Sequence, residues 1–242
     1  MEEIKTYYKG RLTSSGWMFK GQREGEWKEW YEGGQLQSQG RYVQGRREGE
    51  WKGWYESGNL EFQDYYVLGK KHGESKTWWS FNGQLLSQGH YVWGKEEGEW
   101  KKYMNGQLFS QGHYVRGKLE GEYKEWYGNG QLWSQGYYVQ GEMEGEWKEW
   151  YGNGQLRSQG CYVQGEREGE RKEWLENGQL HVQEWYLHGI KFTSEQYQSI
   201  LKLQAWIKKI VPIIRLQRYP GDLVQTRKQR GMESYAIVRT GN

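Results

Sequence analysis

One short block of sequence recurs about every 24 residues along most of this chain. The glycines that open successive copies are spaced by 24, 24, 25, 23, 24 and 24 residues. They are Gly25, Gly49, Gly73, Gly98, Gly121, Gly145 and Gly169, and a partial copy precedes them at residues 7–21. A period of this size indicates a repeat array, in which each unit stacks only on its neighbours. We therefore predict a repeat domain over residues 1–189 and a separate segment at 190–242.

Each unit has the pattern of one β-hairpin. An Asn-Gly pair such as Asn153-Gly154 separates two strand-like runs, and this pair is a strong signal for a two-residue type I′ turn. In the first unit, such a turn predicts four cross-strand pairs. They are Tyr31 with Leu36, Glu29 with Ser38, Trp27 with Gly40, and Gly25 with Tyr42. Large rings would then face glycines, whose bare Cα leaves space that the ring can cover.

The last unit supports this register. Arg171 replaces the tryptophan and Glu184 replaces its predicted glycine partner, so an opposite-charge pair stands where other units place a ring on a glycine. Between units, residues 45–48 are predicted to form a four-residue loop that brings Tyr42 beside Trp51. The predicted fold is all-β, a single elongated antiparallel meander of about seven hairpins and fourteen strands, with a C-terminal α-helical cap or tail.

Two units depart from the common length. The unit from Gly73 has one extra residue and the unit from Gly98 has one fewer. A one-residue slip would move every following side chain to the other face of the sheet. A bulge or an altered turn is therefore expected in each of these units.

The composition suits an extended sheet better than a globule. The chain has 16 Trp, 20 Tyr and 36 Gly, and its mean hydropathy is strongly negative. Cys161 is the single cysteine, which excludes an internal disulfide and favours a reducing compartment. The sequence shows neither a long apolar run nor the pattern of a signal peptide. We therefore expect a cytoplasmic protein, with membrane-peripheral attachment as an alternative.

Residues 145–156, Gly-Glu-Trp-Lys-Glu-Trp-Tyr-Gly-Asn-Gly-Gln-Leu, resemble the MORN repeat family. The resemblance is closest to the variant of bacterial antitoxin-like proteins and large DNA viruses. It implies a twisted sheet of hairpins that serves as a scaffold, with no catalytic residues and no cofactor. The function predicted from it is protein–protein interaction, with a partner protein or a second copy of the chain. An antitoxin that neutralises a toxin is an alternative that rests on the resemblance alone.

One face of the predicted sheet repeats glutamate, lysine and a large ring in every unit. Such rows can dock an extended partner through ring contacts and regularly placed charges. Alternatively, the charges keep the sheet soluble while the rings pack on cross-strand glutamines. The candidate interaction residues are Trp30, Trp54, Trp78, Trp126, Trp150, Trp174, Lys28, Lys52, Lys124 and Lys148.

The segment at 190–242 carries ten Lys/Arg and three Asp/Glu, a net charge of +7, which leaves 24 − 28 = −4 for residues 1–189. Residues 193–196 read as a capping box, after which apolar residues recur at helical spacing until Pro212 stops or kinks the helix. The helix is predicted to cover the open edge of the sheet. Alternatively, it contacts an anionic membrane, while nucleic acid is an unlikely partner. Its candidate anion contacts are Lys202, Lys208, Lys209, Arg215 and Arg218.

Overall fold

A computed structural model describes residues 1–218 of the 242-residue chain, and the side chains of residues 1–209. The chain forms two compact units, one of Met1–Thr193 and one that begins at Ser194. Within the described residues, the first unit is one antiparallel sheet of 17 strands. The second unit contains helix α1, Ser194–Arg218.

The strands follow one another across the sheet in chain order. They are β1 (Glu2–Tyr8), β2 (Arg11–Phe19), β3 (Gln22–Trp30), β4 (Leu36–Val43), β5 (Arg46–Trp54), β6 (Leu60–Val67), β7 (Lys70–Trp78), β8 (Leu85–Val92), β9 (Lys95–Met104), β10 (Gln107–Val115), β11 (Lys118–Trp126), β12 (Leu132–Val139), β13 (Glu142–Trp150), β14 (Leu156–Val163), β15 (Glu166–Trp174), β16 (Leu180–Leu187) and β17 (Ile190–Phe192). Each strand pairs antiparallel with the next. The predicted single meander is confirmed.

The predicted count of fourteen strands is wrong, because both ends of the array carry additional pairing. The partial copy at the N-terminus forms the complete hairpin β1–β2, and β2 pairs with β3. At the other end, β17 adds a short strand to β16. Strand pairing at the ends satisfies backbone groups that the terminal repeats would otherwise leave open.

The predicted register of the first unit is confirmed for three of its four pairs. They are Gly25 with Tyr42, Trp27 with Gly40, and Glu29 with Ser38. The pairing of Tyr31 with Leu36 is wrong, since Leu36 lies opposite Trp30 after a register shift. The shift arises in the loop, which is one residue longer than the two-residue turn predicted for it.

The loop within a regular unit is a type I turn followed by a bulged glycine. In the fifth unit, Tyr127 N–H donates to Gln131 O, and Gly130 N–H donates to Tyr127 O. Gly130 has a φ of +83°, whereas Asn129 does not adopt positive φ. The Asn129 side-chain oxygen instead accepts the Gln131 N–H at 3.0 Å. The type I′ prediction for this Asn-Gly pair is therefore wrong, because the pair supplies the last two residues of a three-residue loop.

Type I′ turns occur between units instead. Gln44 and Gly45 have φ values of +50° and +74°, and Val43 pairs with Arg46 across them. The predicted four-residue loop at 45–48 is wrong, since residues 46–48 already belong to β5. The Glu24 carboxylate holds the turn by accepting the Gln44 N–H at 2.8 Å.

The altered turns expected in the two irregular units are confirmed. In the short unit, Asn105 and Gly106 both have positive φ, of +51° and +78°, so this Asn-Gly pair forms a two-residue turn. In the long unit, Trp79 N–H donates to Gln84 O across a four-residue loop. A change of loop length thus absorbs each extra or missing residue, and the strands keep their faces.

The rings form a buried layer on one face of the sheet, the core face. Trp51 is 1% exposed, yet its cross-strand neighbour is Asp64 rather than a glycine. Its ring leans toward the preceding strand, where a Cβ on Gly40 would lie only 2.3 Å from the ring. Similarly, Trp147 pairs with Gly160, but its ring fills the space above Gly136. The prediction that each ring covers its own cross-strand glycine is therefore wrong. The ring covers the glycine of the preceding strand.

The predicted ion pair of the last unit is confirmed. Arg171 lies opposite Glu184, and the guanidinium nitrogen Nη1 is 2.9 Å from the carboxylate Oε2. A related exchange joins the second and third units. Ser75 replaces the tryptophan, and Asp64 replaces the glycine that would lie beneath it; the two side chains bond at 2.6 Å. Lys71 completes this buried cluster at 2.8 Å from Asp64.

Helix α1 begins at Ser194, directly after Thr193, as the capping pattern predicted. Of the two outcomes predicted for Pro212, a stop is wrong, because the helix continues to Arg218, and a kink stays a prediction. Proline removes one backbone donor and its ring crowds the carbonyl of residue i−4, but its φ is compatible with a helix, so a helix can continue past it at an energetic cost. The side chains of Arg215 and Arg218 and the predicted tail residues 219–242 lie outside the described part of the chain.

Candidate functional site

The face opposite the core face carries the candidate residues, and we call it the ladder face. Strand alternation places Glu26, Lys28 and Trp30 together on this face, and the same set returns in each unit except the fourth, where Tyr103 replaces the tryptophan. The six tryptophans of its ring row are half-buried. They are Trp30, Trp54, Trp78, Trp126, Trp150 and Trp174. Lys28 is exposed, whereas Lys52, Lys124 and Lys148 are half-buried.

Most charges of the ladder face are paired within their own unit. Lys148 Nζ lies 2.7 Å from the Glu146 carboxylate, which also accepts a hydrogen bond from Gln159 at 2.7 Å. The same lysine–glutamate pair joins Lys52–Glu50, Lys76–Glu74, Lys101–Glu99, Lys124–Glu122 and Lys172–Glu170. The hydrogen bonds from Lys172 and Gln183 lower the pKa of Glu170. The ladder face therefore presents tryptophan rings in a largely charge-compensated polar frame.

A groove of about 360 Å³ interrupts the ladder face at the short unit. Met104, Phe109, Trp126 and Trp133 contribute to its lining, which contains no charged side chain. Sequence reasoning missed Met104, Phe109 and Trp133 because they are irregular members of the repeat. The available signal was the missing residue of this unit together with aromatic residues, in two consecutive units, at a position that is mostly polar elsewhere.

The rings of the core face are less accessible to a partner. Arg47 stacks on Trp51 at 4.3 Å from the ring centroid, and its guanidinium donates to the Tyr66 hydroxyl at 3.2 Å. Arg23 covers Trp27 in the same way at 4.2 Å. These stacked arginines and the neighbouring tyrosines leave Trp27 only 3% exposed. The ladder face is therefore the better candidate for ring contacts.

Helix α1 carries the predicted anion contacts Lys202, Lys208 and Lys209, all exposed. Leu203 and Trp206 on the same helix are 57% and 58% exposed. In the portion of the chain with described structure, no helix is apolar over the length that a membrane crossing needs.

The described residues bring together no group of three potential metal-ligating side chains from His, Cys, Asp and Glu. Cys161 is free and exposed on the ladder face. His72 stacks edge-on against Trp93, with ring centroids 5.1 Å apart. Cys161 and His72 therefore lie on different strands, and the described residues form no metal centre from them.

The solved structures that match this chain include three with low TM-scores. A mutant of S. aureus TarM in complex with fondaparinux, alpha-GlcNAc-glycerol and UDP is 9% identical, with a TM-score of 0.28 over 40% of this chain and 19% of that chain. A second TarM structure is 10% identical, with a TM-score of 0.23 over 45% of this chain and 19% of that one. A protein of unknown function from Bacteroides fragilis is 12% identical and has a TM-score of 0.12 over 78% and 93% of the two chains. The chain thus spans about a fifth of the TarM chains that it matches.

No curated protein matches the chain. The family profile of the MORN repeat variant, in contrast, matches five segments, residues 23–44, 47–67, 119–140, 143–164 and 167–188. These segments correspond to five of the seven units, and the two irregular units lie between the second and third matches. The hairpin geometry and these matches together show that the chain belongs to the MORN repeat family.

Proposed function

We propose that this protein is a non-catalytic interaction scaffold whose ladder face docks an extended segment of a partner protein. The observation that carries the proposal is the row of half-buried tryptophans on an unbroken sheet. The described strands form one layer, in which these rings are half-buried, and aromatic rings contribute strongly to protein interfaces when they are covered.

The pairing of charges defines what kind of partner suits this face. Each Glu–Lys pair compensates its own charge, so binding gains little from net attraction to an ion of either sign. The rings repeat at a spacing of about 9.6 Å, twice the distance between strands. A partner in an extended conformation, with apolar side chains at intervals, matches this arrangement better than a compact charged one.

The test combines partner capture with mass measurement after Trp126, Trp150 and Trp174 are changed to Ser. We expect the triple variant to remain folded, as judged by circular dichroism, and to lose the partner or the second copy that the native chain retains. Retained binding by the folded variant would eliminate the ladder face as the docking site.

A matched control changes three other residues in the same units. Gln131, Gln155 and Gln179 lie in the loops and are exposed. Their replacement by Ser alters the same number of side chains outside the ring row, so partner binding should persist. Loss of binding in this control would show that the first result reflects general damage to the array.

A second candidate function is attachment to an anionic membrane through helix α1. The observation that favours it is the exposure of Leu203 and Trp206 beside Lys202 and Lys209 on this helix. Apolar side chains and lysines on one exposed helix suit the interface of an anionic bilayer. Flotation with anionic liposomes should then weaken with salt and vanish when residues 190–242 are deleted. Flotation that ignores salt or survives the deletion would refute it.

A further inference from the structure

A tyrosine at the edge of most regular units binds the following unit. Tyr31 donates its hydroxyl hydrogen to the backbone carbonyl of Trp54 at 2.8 Å. Tyr55, Tyr127 and Tyr151 make the same bond to Trp78, Trp150 and Trp174. In the short unit the equivalent residue is Met104, whose thioether has no hydrogen to donate. The Trp126 carbonyl, which would receive the bond, therefore obtains none from Met104.

The groove of about 360 Å³ lies where this tyrosine would lie. Met104 and Leu108 form part of its lining on the side of the short unit, and Trp126 forms part of it on the side of the next unit. The loop of the short unit also lacks one residue, since Asn105 and Gly106 alone form the turn. The groove is thus the volume left by one missing aromatic side chain and one missing loop residue.

Phe109 and Trp133 give the groove an aromatic lining. They occupy equivalent positions in neighbouring units. The remaining units place Gln37, Glu61, Leu86, Arg157 and His181 at this position. Aromatic residues therefore replace mostly polar ones only beside the missing tyrosine, and an apolar surface of this kind favours an aromatic occupant.

We propose that this groove binds a tyrosine side chain from an extended segment of a partner protein. The ring packs against Phe109 and Trp133, and the phenol donates its hydrogen to the Trp126 carbonyl, as Tyr127 does to Trp150 within the chain. Met104, Gln107 and Gly128 are exposed, so the groove is open on one side. An open groove suits a side chain held by its own polypeptide, whereas free small ligands favour sites that enclose most of their surface.

This site deepens the proposed scaffold function by naming a feature of its partner. The experiment uses the full chain and the peptide acetyl-Ala-Ala-Tyr-Ala-Ala-amide, followed through the Met104 methyl signal by NMR and through saturation transfer to the peptide. We expect a saturable shift of that methyl signal. The peptide with Phe in place of Tyr should bind about five- to tenfold more weakly, because it lacks the hydrogen bond. Free p-cresol should also bind more weakly than the tyrosine peptide.

A repaired variant is the matched control. Met104→Tyr, with one glycine inserted after it, restores the regular loop and supplies the chain's own tyrosine to the groove. We expect saturation transfer to show at least tenfold weaker peptide binding, with a thermal midpoint equal to or above that of the native chain. A second variant, Phe109→Gln with Trp133→Gln, uses the residue present at position 37 and should also lose the peptide.

Four results would overturn the proposal. They are a Met104 signal that does not shift, equal affinity for the phenylalanine peptide, equal affinity for free p-cresol, and unchanged binding to the folded repaired or Gln variants. The partner capture described above does not use this peptide. A native partner that still depends on the tryptophan row while the peptide fails would therefore remove the groove assignment and leave the scaffold function in place.

Discussion

The units that begin at Gly145 and Gly169 share one sequence pattern, but different side chains fill their core faces. In the first, the Trp147 ring fills the space above Gly136, so closely that a Cβ there would lie 1.8 Å from the ring. In the second, Arg171 replaces the tryptophan, and a Cβ on Gly160 would meet only ordinary contacts at 3.6 Å. Comparison of the two shows that the glycine is required by the ring of the following unit.

Two acidic substitutions obey the same rule. Asp64 stands at a glycine position where the following unit brings Ser75 instead of a ring, and the serine hydroxyl donates to the carboxylate. Glu184 stands at the last glycine position, where the next strand is β17 and the chain brings Lys191 to the carboxylate. Glycine is thus exchanged for a carboxylate where no ring needs the space.

The largest expected effect is on the free energy of unfolding, and it follows from the removal of a buried ring. Trp51→Ser should cost roughly 3–5 kcal/mol in the free energy of unfolding, because a 1% exposed indole is lost and a cavity remains above Gly40. Adding Gly40→Asp should restore part of the loss, since the introduced carboxylate and hydroxyl would repeat the Asp64–Ser75 pair and Arg47 would take the place of Lys71. Urea denaturation of the two single variants and the double variant measures this coupling.

The double-variant result carries its own control. Gly40→Asp alone places a carboxylate against the Trp51 ring and should destabilise the protein. If the double variant loses as much free energy of unfolding as the two single variants lose together, the two substitutions act independently. The exchange of ring and glycine for serine and acid then does not act as a unit. The rule drawn from Asp64 and Ser75 would then fail.

The next effect separates two glycines that the sequence makes look identical. Gly136→Ala should cost about 1–3 kcal/mol, because its Cβ would overlap the Trp147 ring and force the ring or the strand to move. Gly160→Ala should change stability by less than about 0.5 kcal/mol, since its Cβ has room beside Arg171. Thermal and urea unfolding of both variants checks the difference. Equal losses would contradict the ring-over-preceding-glycine geometry.

The repeat period and the ring–glycine pattern were enough to predict the meander and most of its register. The pairing of Trp147 with Gly160 follows from symmetry about the loop and is confirmed. The direction in which the ring leans does not follow, because a period-two pattern states which face a side chain occupies and says nothing about which neighbouring strand it covers. The placement of Asp64 before Ser75 contains that information, and so does Glu184 at the last glycine position, which no ring of a further unit follows.

The turns were harder to predict for a similar reason. Asn-Gly suits both a two-residue I′ turn and the end of a type I turn with a bulged glycine. Asn105-Gly106 adopts the first and Asn129-Gly130 the second, so one residue of loop length decides between them. The groove of the short unit depends on this same difference in loop length. Its shape follows from a missing loop residue and a missing aromatic side chain, so no single residue of the sequence predicts it.

A smaller effect concerns pH at the end of the array. Hydrogen bonds from Lys191, Tyr186 and Arg171 lower the pKa of Glu184 to about 2. Because the folded state favours the ionised carboxylate, its stabilisation is complete above the ordinary pKa of 4.5 and is lost as the pH falls toward about 2. The stability difference between the native chain and Glu184→Gln should shrink over this window. A carboxyl carbon signal of Glu184 that titrates near pH 4.5 would contradict the expected shift.

The smallest effect extends the comparison of units to the turns between them. The Glu144 carboxylate accepts the Gln164 N–H at 2.9 Å, and Glu168 holds His188 in the same way at 2.8 Å. Glu144→Ala should cost about 1 kcal/mol, because the amide of a positive-φ residue loses its acceptor, and hydrogen exchange at Gln164 should accelerate. Glu142→Ala, at an exposed position in the same strand, should leave that exchange rate unchanged. If both variants accelerate exchange equally, the carboxylate is not what holds the turn, and the backbone bond from Gly165 to Met143 is sufficient by itself.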